Sequence, residues 1–120
     1  MQRNDQYILD DQRNVIPATS TYQWGEWIEN NRDKRIVKQE EIDGFWVSTV
    51  FLGLDHNYQE PQMGPEGIEE YHPEVFETMI FDRRVNGDNY SEAYCRRCST
   101  WDQAVEQHKK AVLAVKKGEI

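Results

Sequence analysis

The chain predicts an α+β domain in which an antiparallel sheet of about five or six strands carries two helices packed on one face. Three observations point there. Asp43-Gly44 sits between two extended runs and is the strongest short-range hairpin signal in the sequence. "VSTVFLGLDHNY", residues 47 to 58, is the longest clean strand signal. The segment beginning at Trp101 carries an apolar stripe at helical spacing.

Taken in order, "YILDD" and "NVIPA" read as a short hairpin over residues 7 to 16, turning through Asp10, Asp11, Gln12, Arg13 and Asn14. Pro17 ends the extended segment. "TSTYQWGEWIENNRD" reads as a helix capped by Ser20, with Gln23 at the capping-box position. Trp24, Trp27 and Ile28 would share its buried face, and Gly25 with the two asparagines ends it near Asn31.

The hairpin around Asp43-Gly44 has two unlike arms. The first mixes Ile36 and Ile42 with Lys38 and Glu40, a partly exposed strand. The second is apolar on both faces, Trp46, Val50, Leu52 and Leu54 against Val47 and Phe51, so it should be central and covered on both sides. Gly53 allows a bend near its end. Residues 57 to 73 hold two glycines, three prolines and several acids, and read as a long acidic loop within the domain.

"VFETMIF" then resumes as a strand, "VNGDN" turns it, and "YSEAYCRRCS" returns as the last one, Tyr90 and Tyr94 alternating with Ala93 and Cys95. Thr100 and Gln103 form a capping box for the final helix, and Asp102 adds negative charge to its first turn. Its stripe is Trp101, Ala104, Val105, His108, Val112 and Val115, and Gly118 stops it.

At 120 residues the chain, 1–120, makes one domain. With 22 acidic and 14 basic side chains its net charge is −8, which argues against direct nucleic-acid or anionic-lipid binding. No apolar run approaches the roughly 18 residues of a membrane span. The polar start "MQRNDQYILDD" has no signal-peptide core, so a cytoplasmic location is expected. "GPEG" lacks the ending and setting of a phosphate loop, and no cofactor is expected.

Two clusters carry possible chemistry. Asp55-His56 follows a buried strand, and a carboxylate can orient a histidine that acts as a base. Neighbours on an extended chain face opposite ways, however, so the simpler reading is a structural strand end. His108, on the apolar stripe, could approach His56, but a hydrogen-bonded core histidine is the simpler expectation. Asp55, His56 and His108 are therefore the catalytic candidates. Cys95 and Cys98 form a C-x-x-C that could hold zinc with His56 or His72 or form a redox disulfide, yet no second C-x-x-C exists. Reduced structural thiols and no bound metal are expected.

Leu54-Asp55-His56, Phe76-Glu77-Thr78-Met79 and Ser99-Thr100-Trp101, followed by a helix bearing His108, together resemble a family of small uncharacterised proteins encoded by bacteriophages and prophages. The resemblance covers roughly residues 45 to 115. In similar chains the loop is often shorter and the positions of Cys95 and Cys98 need not be cysteine. The resemblance implies a phage or prophage setting and brings no catalytic residue with it. The expected function is a non-enzymatic accessory protein that binds another protein, such as a host factor. The alternatives are a small enzyme built on the Asp/His cluster, an acidic nucleic-acid mimic that inhibits a host protein, or a homodimer formed through a sheet edge.

Overall fold

The computed structural model describes residues 5–55, 63–64, 67–68, 72–84 and 91–120. β1 (Tyr7–Leu9) and β2 (Val15–Pro17) form the first hairpin. Its turn is tied by Asp10, whose Oδ1 accepts from Gln12 N at 2.9 Å and Asn14 N at 2.8 Å. α1 (Thr21–Asn30) begins at Ser20, whose Oγ accepts from Gln23 N. The Gln23 side chain does not close a capping box with Ser20. Its Oε1 reaches back one residue further, to Thr19 N at 2.7 Å.

The main sheet contains β3 (Ile36–Ile42), β4 (Phe45–Phe51), β7 (Phe76–Asp82) and β8 (Ser91–Cys98), antiparallel throughout in the order β3-β4-β7-β8. Asp43 and Gly44, with φ of 52° and 86°, make the β3–β4 turn in the left-handed region that an Asp-Gly pair tolerates. Between β4 and β7, β5 (Met63–Gly64) pairs with β6 (Gly67–Ile68). Of the expected loop over 57 to 73, the residues other than these four and 72–73 lie outside the described residues.

α2 (Trp101–Lys116) crosses one face of this sheet and contacts all four of its strands. Its capping box is complete: Thr100 Oγ1 accepts from Gln103 N at 3.1 Å, while Gln103 Oε1 accepts from Thr100 N at 3.2 Å. Ala104, His108, Ala111 and Val115 form its buried stripe.

Three sequence expectations need correction. The strands do not join into one sheet of five or six. The first hairpin is a separate two-stranded sheet, linked to the β4 end through the Gln6–Leu54 bridge and a Tyr7 N–Gly53 O bond of 2.8 Å. Its strands are short, Pro17 has no N–H to extend the ladder, and the chain it meets has already turned at Gly53, φ 72°. A Cβ on Gly53 would lie 2.9 Å from both Ile28 Cδ1 and Tyr7 O, so this junction has room only for glycine.

Nor do both helices share the sheet face. α1 packs on β1 at the end of the sheet, held by Trp24 Nε1 donating to Gly53 O at 2.8 Å and by Trp27 edge-on to Phe51. Finally, β4 is central but sealed on one face only. Phe45, Val47, Thr49 and Phe51 are buried under α2, whereas Trp46, Ser48 and Val50 on the opposite face are half-buried. No described helix packs on that side.

The core beneath α2 has two apolar clusters. One gathers Leu9, Phe51, Val75, Phe76 and Ala104, with Trp27 and Trp101 against it. The other gathers Phe45, Val47, Ile80, Ala111 and Val115. A polar band lies between them.

Candidate functional site

That band is formed by one residue from each element that meets at the centre. Thr49 follows Val47 and precedes Phe51 in the inward row of β4, and Thr78 lies directly across from it on β7. His108 comes down from α2 between Ala104 and Ala111. Thr49 and Thr78 are 0% exposed and His108 is 3% exposed. Their polar atoms meet one another. Thr49 Oγ1 is 2.8 Å from Thr78 Oγ1 and 2.7 Å from His108 Nδ1. His108 Nε2 is 2.7 Å from Glu40 Oε2 on β3, and Lys38 Nζ approaches the same oxygen at 3.4 Å.

The proton positions follow from what each group can do. A carboxylate only accepts, so Nε2 of His108 donates to Glu40. In the neutral ring Nδ1 then accepts from the Thr49 hydroxyl, and Thr49 Oγ1 accepts from Thr78. Every member is paired, as a buried polar group must be if its desolvation is to be offset. The His108 hydrogen bond, followed by Lys38, holds the Glu40 carboxyl below the usual carboxylate range.

Hydroxyl, imidazole and carboxylate in line are the parts of a nucleophile relay. Here the hydroxyls have no open space beside them. A nucleophile must touch its substrate, and Thr49 touches only the core. What the arrangement does well is hold α2 against β3, β4 and β7 at one register.

The candidates from sequence fall elsewhere or apart. Asp55 is 2% exposed and its Oδ1 accepts from Glu74 N at 3.3 Å, while its own N–H donates to Asp5 O at 2.8 Å. It stands six residues beyond Thr49, past the bend at Gly53, and so ties the strand end to its neighbours. His56 lies outside the described residues. His108 was identified from sequence as a buried, bonded histidine, and its partners are Thr49 and Glu40.

Cys95 and Cys98 do not converge. Cys95 pairs across with Met79 and Cys98 with Phe76, so alternation along β8 sends the two thiols to opposite faces of the sheet. Cys95 Sγ lies 3.6 Å from Glu77 Oε2, which also binds Arg97 Nε at 3.0 Å. Burial, followed by the charge of Glu74, pushes the Cys98 thiol up to about 11. His72 is exposed, its carbonyl accepting from Ser99 Oγ. Among the described residues no three His, Cys, Asp or Glu side chains gather as metal ligands.

Sequence reasoning missed Thr49, Thr78 and Glu40. The available signal was a hydroxyl residue in the middle of each apolar inward row, Val47-x-Thr49-x-Phe51 and Phe76-x-Thr78-x-Ile80. Two such rows paired at their hydroxyls, opposite a histidine on a helix stripe, mark a polar tie.

Fold and site together define an α+β protein with one helix strapped across a four-stranded antiparallel sheet by a buried histidine. Comparison with protein-family models, with curated proteins and with solved structures found no match.

Proposed function

We propose that this chain is a small phage- or prophage-associated accessory protein that acts by binding another protein. The observation that carries the reading is the complete burial of the Thr49 and Thr78 hydroxyls in the Thr78–Thr49–His108–Glu40 chain. This is the one place among the described residues where hydroxyl, imidazole and carboxylate line up, and its hydroxyls are wholly buried. Its geometry serves the fold.

The motif residues behind the phage resemblance fit the same reading. Asp55 ties a strand end, Phe76 and Thr78 are buried, and Thr100 caps α2. A pattern composed of such residues preserves a fold and leaves the surface free to differ, as suits proteins that meet different partners.

Affinity capture from bacterial host lysate, run beside a turnover screen of small molecules, tests the proposal. Reproducible capture of a host protein by wild type and by a folded His108→Gln variant supports it. Turnover that disappears in folded His108→Gln, with no protein captured, would overturn it.

A further inference from the structure

The two flanks of α2 are built differently. Toward β8, Gln107 Nε2 donates to the Arg97 carbonyl at 3.3 Å, so a side-chain amide already occupies a backbone group of that edge strand. Toward β3, the opposite edge of the sheet, a cavity of about 550 Å³ runs between strand and helix. Its helix wall is Val105, Lys109, Val112 and Lys116, spaced four, three and four residues apart and so aligned in one row. Val37 and Lys38 form the strand wall. Leu113 stands at the rim, 51% exposed, a large apolar side chain facing water.

We propose that this groove receives an extended acidic segment of a partner protein, which adds as a further strand to the outer edge of β3, unpaired among the described residues. The proposal rests on the protein-binding reading above and names its contact surface. An edge strand turns alternate N–H and C=O groups away from its sheet, and an added strand satisfies them while placing every second side chain in the adjoining pocket. From Val105 to Lys116 the wall is about 16 Å long at the helical rise. That length accommodates about five residues of strand.

Charge selects the occupant. Three lysines line the groove against a single carboxylate, Glu40, which His108 and Lys38 already share, leaving Lys109 and Lys116 for an incoming acid. This occurs on a chain of net charge −8. Lys109 reaches only Glu106, at 3.3 Å between exposed side chains, a pair that an incoming acid exchanges at little cost. The alternation of valine and lysine along the wall matches a strand in which apolar and acidic side chains alternate. A second copy of this chain would bring its own net negative charge, which disfavours it as the occupant.

The test uses the full chain, labelled with ¹⁵N, and a synthetic peptide with blocked ends and the sequence Glu-Val-Glu-Val-Glu-Val. Amide shifts confined to β3 and the β3 flank of α2 are expected, with hydrogen exchange of the outward β3 amides slowed about tenfold. Leu113→Glu and Lys116→Glu, both at the rim, should each weaken binding about tenfold. Lysine in place of glutamate, or proline at the central positions of the peptide, should abolish it.

Equal binding of the proline-bearing peptide overturns the proposal, as does the absence of binding at millimolar peptide. It is also overturned if decanoate alone gives the β3 and α2 shifts, or if the groove proves to be filled by a second copy in a dimer that Leu113→Glu dissolves. Host-protein capture that survives Leu113→Glu unchanged removes this surface and leaves the protein-binding reading standing.

Discussion

At Thr49 one hydroxyl answers two neighbours, Thr78 at 2.8 Å and His108 at 2.7 Å, and the consequences can be followed atom by atom. The chain ends at Glu40, whose acidity makes it readable in solution. The His108 donor and then Lys38 favour its carboxylate in the folded state, placing its folded value below the ordinary 4.5. The contribution is complete above about pH 4.5 and fades as pH falls through the lower folded value, because the unfolded chain takes up the proton first. Between about pH 4.5 and that lower folded value the urea midpoint of wild type should drop more steeply than that of Glu40→Gln. Parallel curves would contradict the assignment. Cys98 works in the opposite sense. With its thiol raised from 9.0 to about 11, the unfolded chain releases that proton first, so the fold weakens between those values as pH climbs. Near neutral pH, iodoacetamide should modify Cys98 more slowly in the folded chain than in urea, and equal rates would count against its burial.

Elements were legible where their signals are local. The Asp43-Gly44 turn and the Thr100–Gln103 box each depend on residues within a few positions of one another, and each appears as expected; β4 is central as expected but buried on one face only. Phe51, fully buried and edge-on to Trp27 and Phe76, is the strongest consequence of the β4 pattern. Phe51→Ala should cost about 3–5 kcal/mol in a denaturant melt, and near-wild-type stability would mean that the strand is misplaced. Sheet membership was not legible. Alternation in "YILDD" and "NVIPA" says that the segments extend, yet nothing in it says that they pair only with each other. Thr49 escaped notice because a threonine suits any strand as well as valine does, and only the partner strand reveals what its hydroxyl meets. The C-x-x-C spacing was ambiguous for a related reason: at a helix start it brings thiols together, whereas in β8 it separates them.

Across the whole molecule, α2 acts as a strap. It touches every strand of the main sheet and joins two apolar clusters through one polar tie. Among the described residues, α1 and the first hairpin close only the end near Phe51, and no helix packs on the opposite sheet face and no strand pairs along the outer edge of β3. If the chain binds a partner as proposed, this division puts stability on one side and recognition on the other. At its centre the histidine chain holds α2 to the sheet. Thr49→Val keeps the shape of the side chain and removes the shared hydroxyl, leaving His108 Nδ1 and the Thr78 hydroxyl short of a partner at about 1–3 kcal/mol each. Urea unfolding of Thr49→Val beside wild type is the most direct measurement. The predicted result is a loss of about 2–6 kcal/mol with an unchanged m-value. Stability within about 0.5 kcal/mol of wild type would contradict the structural role given to this chain.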